Sequence, residues 1–457
     1  MAPVSVVILA AGQGKRMHSA LPKVLQPLAG RPLLAHVVAT ARAIRPAAIH
    51  VVYGHGGEDV RAAFADEADL KWALQAEQLG TGHAVVQAMP AIPDDHRVLI
   101  LCGDVPLVRP QTLERLVADS AAGRLALLTA RLADATGYGR VVRNASGEVT
   151  RIVEHNDATD DERRVNEINT GLIALDAPAL RRYLGNLKSN NAQGEYYLTD
   201  VIGMAVAERV PIDGIVAESA TEVLGINDRA QLAAAERVLQ RRQAADLMER
   251  GVTLADPERL DVRGQVVVGR DVFIDVGVVL EGKVVLGDRV RIEAYAVVRN
   301  CTLGADTVVH PHCHLESSAA GDDCEIGPFS RLRPGVVLSG HVKVGNFVEI
   351  KNSHIAPHSK VNHLTYVGDA TVGTHVNVGA GTITCNYDGA NKHRTVIGDN
   401  AFIGSGVMIV APVEVGAGAT IGAGSTITKD TPAGELTLAR TKQVTIPGWQ
   451  RPKKKPK

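Results

Sequence analysis

From about residue 252 onward, an aliphatic side chain returns at every sixth position. The series runs Val262, Val268, Ile274, Leu280, Leu286, Ile292 and Val298, then Ile326, Leu332, Leu338, Val344 and Ile350, then Ile397, Ile403, Ile409, Val415, Ile421 and Ile427. Neither the 3.6-residue period of an α-helix nor the alternation of a half-buried strand gives this spacing. Hexads point to a solenoid of parallel strands, a β-helix, in which three hexads (about 18 residues) close one triangular coil. Each inward side chain then stacks on its equivalent about 4.8 Å away. Glycines such as Gly269, Gly287, Gly345 and Gly404 follow many of these positions and suit corners that other residues resist. A purely structural solenoid is the competing reading.

The first 226 or so residues follow a different pattern, with short apolar runs alternating with amphipathic stretches. Expected strands are Val4–Ala10, Ile49–Tyr53, Val98–Cys102, Leu125–Arg131 and Ile168–Leu175. Expected helices are Pro32–Ile44, Pro110–Ala122 and Leu198–Glu208. Such alternation predicts an α/β fold with a mostly parallel sheet covered on both faces. Residues 228–250 contain no Gly or Pro and are rich in helix formers, and Gly251 is a plausible stop, so one linking helix is expected. The expected organisation is an α/β domain over 1–227, a linker helix over 228–251, a β-helix over 252–437 and a tail over 438–457.

Composition narrows the function classes. The 49 basic and 50 acidic residues give a net charge of −1, so no global field favours nucleic acid. No apolar run approaches the ~20 residues of a membrane span. The opening MAPVSVVILAAGQGKRM reads as a buried first strand running into a glycine loop, which implies a cytoplasmic protein. Five cysteines without a CxxC pair argue against a disulfide framework or zinc ribbon. The basic run 451–457 reads as a solvated tail.

The front half carries candidate phosphate chemistry. In Leu9-Ala10-Ala11-Gly12-Gln13-Gly14-Lys15-Arg16-Met17, the glycines let backbone N–H groups approach a phosphate, and Lys15, Arg16 and Lys23 supply positive charge. Asp104 ends the apolar run Val98–Leu101, which places its carboxylate at the carboxyl edge of the sheet, where ligands gather in open α/β folds. A hard oxygen there suits Mg²⁺ shared with phosphates. Asn227 stands just before the linker helix and reads equally as a ligand or a helix N-cap.

LAAGxGxRM and Leu21-Pro22-Lys23 together resemble the sugar-nucleotide pyrophosphorylase signature. Gln75 to Thr81, Cys102-Gly103-Asp104, Gly137 to Arg140, Glu154, Asn166 to Gly171, Gly194 to Asp200 and Gly225 to Asn227 follow in order. With these segments, the whole chain resembles the bifunctional N-acetylglucosamine-1-phosphate uridyltransferase/glucosamine-1-phosphate acetyltransferase family. Lys15 stands where many relatives have Thr, and Cys102 where Tyr is frequent.

The resemblance implies a Rossmann-like nucleotidyltransferase domain and a left-handed β-helix. It implies acetyl transfer from acetyl-CoA to glucosamine-1-phosphate, then uridylyl transfer from UTP, with Mg²⁺ on Asp104 and Asn227. Leu9, Ala10, Ala11, Gly12, Lys23, Gln75, Gly80, Thr81, Cys102, Gly103, Asp104, Gly139, Glu154, Asn169 and Asn227 are the expected uridyltransferase binding positions, with Arg16 and Lys23 in the catalytic role of holding phosphates.

In the rear half, acetyl transfer needs a base, and an imidazole suits that work near neutrality. His363 is the candidate among nine histidines after residue 300. Repeat phase groups the site: Arg333 and Lys351 each follow an inward aliphatic, 18 residues apart, while His363, Ala380, Ser405 and Ala423 each sit two places after one. The resemblance assigns Arg333, Lys351, Tyr366, Asn377 and Lys392 to the sugar phosphate. It assigns Ala380, Asn386, Tyr387, Ser405, Ala423 and Arg440 to acetyl-CoA or the acyl centre. Glu349 reads equally as a group that orients His363 or as a solvated carboxylate. The rhythm breaks between Ile383 and Ile397, where a polar insertion must loop outward and could reach a neighbouring protomer; the resemblance implies a homotrimer with shared sites. The rivals are a single-activity pyrophosphorylase with a structural β-helix and a trimeric scaffold holding zinc.

Overall fold

The protein is described here from a computed structural model covering residues 2–12, 14–54, 56–121 and 123–454. Gln13 of the glycine loop, Ala122 at the end of an expected helix and residues 455–457 of the tail lie outside the described residues. Two compact units divide between Leu239 and Gln240.

The first unit is built on a nine-stranded sheet. Its strands are β1 (Val4–Leu9), β2 (Ala48–Tyr53), β3 (Leu70–Leu74), β4 (Arg97–Cys102), β5 (Leu125–Arg131), β6 (Arg140–Arg143), β7 (Val149–Val153), β8 (Glu167–Asp176) and β9 (Ile212–Val216). They lie in the order β9-β5-β8-β4-β1-β2-β3, with β6 pairing β8 and β7. β1 is parallel to both β2 and β4, whereas β8 runs antiparallel to β4 and β5. The sheet is thus mixed on one side: β8 follows directly from the antiparallel β6–β7 hairpin, which no apolar run signalled. Successive residues serve opposite faces, Val6 and Ile8 packing into one core and Val7 into the other.

His50 of β2 lies beside Lys71 of β3 and is 1% exposed. Burial first, then Lys71 and His96, push its imidazole from 6.5 down to about 4. The folded state therefore holds His50 neutral, and unfolding takes up a proton between those values. Stability should be full above pH 6.5 and fall by on the order of 2–3 kcal/mol towards about pH 4.5. Denaturant unfolding checks this as the difference between wild type and His50→Gln, which should shrink as pH falls.

The second unit is a parallel β-helix of three ladders, each strand pairing with its equivalent one coil on. The inward aliphatics form a single core, most of them 0–2% exposed. Coils are not uniform. Leu332 stacks on Ile350, 18 residues on, but Val298 stacks on Leu315 and Ile350 on Val367, 17 on. The missing residue lies at one edge, where Asn300, Ser317, Asn352 and Asp369 turn with φ of 42–50°, replacing the longer glycine corner at Gly335. Asn and Asp tolerate this left-handed conformation, so a five-residue side closes. This is why the six-step series lapses after Val298 and after Ile350.

Residues Arg229–Glu249 form one helix. The unit boundary falls inside it rather than at 228 or 251. Ala235 packs with Leu28, Leu33 and Leu107, whereas Gln240 exchanges hydrogen bonds of 2.9 and 2.7 Å with the backbone of Val262, and Leu247 joins the β-helix core.

Candidate functional sites

After β3 the chain crosses to the other side of β1 to form β4, so the carboxyl ends of β1 and β4 diverge at a topological switch point. A cleft of about 470 Å³ opens there, lined by Leu9, Ala10, Ala11, Gly12, Lys23, Gln75, Gly80, Thr81, Cys102 and Asp104. Lys15, Gln78 and Glu195 also line it. Gly14 turns at φ 59°, and a Cβ there would lie 2.6 Å from the Lys23 Cβ, so only glycine lets the loop close onto Lys23. Gly103 lies behind the cleft, its N–H donating to the Leu9 carbonyl at 2.9 Å. Arg16 is exposed on the short helical turn Lys15–Met17 and does not line the cleft.

Lys23 Nζ donates to Asp104 Oδ2 and, at 3.2 Å, to Asn227 Oδ1. Helix capping falls to Asp228, whose Oδ1 accepts from the Gln231 N–H at 2.8 Å. Of the two roles open for Asn227, the N-cap role is therefore taken by its neighbour. Two hard oxygens converge on one cation, which fits a divalent ion that keeps most of its shell for phosphates and water.

Gln75 is buried and donates to the Gly80 carbonyl at 3.0 Å. Thr81 Oγ1 accepts from the Leu198 N–H at 3.1 Å, and Tyr196 N–H from the neighbouring segment donates to Leu79 O at 2.8 Å. Segment 75–81 is thus fixed against segment 194–200. Beyond Cys102, β8 bulges between Asn169 and Ile173. A Cβ on Gly171 would sit 2.9 Å from Cys102 Sγ. Burial, then Asp104, pushes the Cys102 thiol up to about 12, so it stays neutral. Asn169 N–H donates to Gly139 O at 2.9 Å, and Thr199 Oγ1 donates to Glu154 at 3.0 Å. Burial raises the Glu154 carboxyl above its ordinary range. Gly139, Glu154 and Asn169 therefore form one neighbourhood beside the cleft. Thr199 and Glu195 were not singled out as site residues, although both lie in the quoted segment 194–200.

In the β-helix, His363 stacks between Asn346 and Ala380 in one ladder. Its Nδ1 lies 3.0 Å from Asn346 Oδ1. A carboxamide oxygen only accepts, so Nδ1 carries the hydrogen and Nε2 the lone pair. Glu349 does not orient His363: it pairs with Arg333 at 2.9 Å, because strand register puts it one coil from the arginine. Asn346 was missed, yet it sits two places after inward Val344, the same offset as His363. Ser405 and Ala423 continue this column, Gly424 N–H donating to Ser405 O at 2.9 Å.

Arg333 and Lys351 stack in a second ladder, Arg333 N–H donating to Ile350 O at 2.9 Å. Lys392, first, and partial burial hold the Lys351 ammonium below its ordinary value, with Arg333 adding to them. Three cations thus share one place. Tyr366 lies in this second ladder, whereas Asn377 lies in the ladder of His363. His363 and Lys351 therefore belong to different faces of the prism.

The insertion turns back through a Tyr387–Lys392 bridge, and Tyr387 is 61% exposed. Asn386 instead is buried and donates to Asp369, which also accepts from Asn352 at 2.5 Å. Burial alone would raise the Asp369 carboxyl; the two amides and the charges of Lys351 and Lys392 outweigh it and hold it low. Asn386 is thus committed to an edge ladder. Arg440 donates to the Ala423 carbonyl at 3.0 Å, which brings two expected acetyl-CoA residues together. Among the described residues, no three His, Cys, Asp or Glu side chains converge on a metal position, and no helix is long and apolar enough to cross a membrane.

Comparison with known proteins covers both units. The MobA-like NTP transferase domain matches residues 6–187, the GMPPB C-terminal domain 262–369, and the bacterial transferase hexapeptide repeat 394–429. The chain is 56% identical over 455 residues to "Bifunctional protein GlmU" of Chromobacterium violaceum, spanning 100% of both chains. Proteins of that name from Aromatoleum aromaticum and an Azoarcus species are 58% and 59% identical, each spanning 99% of this chain and 99% and 100% of their own.

Proposed function

The chain belongs to the family of bifunctional GlmU proteins, and from that membership we propose how its two units divide the chemistry. It is a bifunctional enzyme of UDP-N-acetylglucosamine synthesis, a uridyltransferase and an acetyltransferase.

In the first unit, UTP lies in the switch-point cleft with its base on Gln75, Gly80 and Thr81 and its phosphates on the glycine loop and Lys23, with Arg16 reaching in from its exposed turn outside the cleft. Lys15 lines the same cleft and adds charge. Gly139, Glu154 and Asn169 take N-acetylglucosamine-1-phosphate. A phosphate oxygen of that sugar attacks the α-phosphorus of UTP in line; the new P–O bond forms as the bond to pyrophosphate breaks. No protein nucleophile is needed, and positioning with charge neutralisation does the work. Asp104 and Asn227 would hold Mg²⁺, which when bound draws negative charge from the phosphates. The convergence of these two oxygens on the Lys23 cation supports this reading.

In the second unit, Arg333, Lys351 and Lys392 hold the phosphate of glucosamine-1-phosphate, with Tyr366 and Asn377 on the sugar. Ala380, Tyr387, Ser405, Ala423 and Arg440 take acetyl-CoA. The sugar amine attacks the thioester carbonyl, His363 Nε2 accepts its proton, the C–S bond breaks and the thiolate takes the proton back. The carrying observation is the 3.0 Å contact of His363 Nδ1 with Asn346 Oδ1, which leaves Nε2 to act as the base. Because His363 and Lys351 occupy different faces, the site is completed between protomers of a homotrimer, with the exposed 387–392 turn reaching a neighbour. The enzyme works in the cytoplasm.

Incubation with glucosamine-1-phosphate, acetyl-CoA, UTP and Mg²⁺, omitting one at a time, tests the reading. Coenzyme A thiol should appear without UTP, and UDP-N-acetylglucosamine only with all four. No thiol release would leave a single-activity pyrophosphorylase. Asn346→Ala should lower acetyl-transfer kcat about ten- to a hundredfold, less than loss of the base, with KM held and Asn346→Asp restoring rate; steady-state kinetics checks it.

A further inference from the structure

Each edge of the β-helix carries a column of residues with positive φ, and the columns differ in chemistry. One edge stacks Tyr295, His312, Phe329 and Phe347 as rings. Another runs Asp271, Arg289, Asp306, Asp323, His341, His358 and His375, with φ of 55–62° throughout. In its upper part three imidazoles stand face to face, with centroids 4.7 Å apart and planes within 7° at both steps. All three are exposed. His341 Nδ1 lies 2.7 Å from Asp323 Oδ2. A carboxylate only accepts, so this contact puts the hydrogen on Nδ1 and leaves the Nε2 lone pair of His341 unshared by it. A carboxylate behind an imidazole is the arrangement that fixes tautomer and raises basicity in metal-binding histidines.

We propose that the His341–His358–His375 column is a binding site for a borderline divalent cation such as Zn²⁺ or Ni²⁺, separate from both transferase sites. Imidazole nitrogen suits such ions and not Mg²⁺, whose preference is for oxygen. Two bonds of ~2.0–2.1 Å at a tetrahedral angle put their nitrogens about 3.4 Å apart, so binding requires two adjacent exposed rings to turn out of the parallel stack until their lone pairs converge. Since no three ligating side chains converge on one point among the described residues, the ion is held by two adjacent imidazoles with water filling the remaining positions. His358 is common to both possible pairs, and Asp323 positions the lower one.

Full-length protein stripped with a chelator should be dialysed against Zn²⁺ in excess Mg²⁺, and bound zinc measured per chain. Asn tolerates positive φ, so His358→Asn removes the imidazole and keeps the backbone; retention of both transferase activities confirms its fold. Wild type should bind one more zinc than His358→Asn, and Zn²⁺ should raise the melting temperature of wild type alone. His354→Asn, off the column, should match wild type. Asp323→Asn should weaken binding about 10–100-fold. Equal zinc in wild type and His358→Asn, or displacement by Mg²⁺, would overturn the proposal.

Discussion

Replacing His363 by Ala should lower acetyl-transfer kcat on the order of 10²–10⁴-fold, the range for losing a positioned general base. The imidazole is exposed at a strand end, and its Nδ1 is held by Asn346 at 3.0 Å, so its removal empties no core. Melting temperature should therefore stay near that of wild type, and the KM for glucosamine-1-phosphate should change little, because Arg333 and Lys351 remain. Uridylyl transfer should persist within about twofold, since the two sites lie on separate units and share no residue. A thiol-release assay beside a pyrophosphate-release assay on one preparation checks all of this.

Replacing Asp104 by Ala should do the converse. It takes away one of two oxygens on the Lys23 cation and the only carboxylate of the pair. Loss of one preorganised charge-stabilising group costs about 10²–10³ in kcat, and the uridylyl step should fall at least that far. Raising Mg²⁺ should recover part of the rate, because the remaining amide still offers an oxygen. Acetyl transfer should be untouched. An equal loss in both reactions would mean that the substitution acts through folding.

Much of the architecture was legible because hexads leave a trace that no helix or ordinary strand produces. The trace faded where geometry, not composition, changed: at Asn300, Ser317, Asn352 and Asp369 a left-handed corner saves one residue and shifts every later position. Ala320 and Thr384, both buried, also take inward places without being large aliphatics. In the front half, the buried strands read directly, but β6, β7 and β9 are short and part-polar, and the antiparallel course of β8 depends on a hairpin that no local pattern marks.

The cleft residues from Leu9 to Asp104 were legible through motif order. What sequence could not give was competition between neighbours. Asp228 takes the cap that Asn227 would otherwise fill, Glu349 goes to Arg333 instead of His363, and Asn386 is drawn into the Asp369 ladder. Each outcome turns on register and distance, which spacing alone leaves open. Offsets of one and two places within a hexad likewise do not say which of three sides a residue occupies, so the placing of His363 and Lys351 on different faces comes from strand register.

The central claim is that the two reactions run in separate sites, one carried by each unit. Mixing purified His363→Ala and Asp104→Ala proteins in one vessel with glucosamine-1-phosphate, acetyl-CoA, UTP and Mg²⁺ tests it most directly. UDP-N-acetylglucosamine should accumulate in the mixture, while either variant alone makes almost none from these starting materials. A mixture that makes no product, although both variants are folded, would contradict the account.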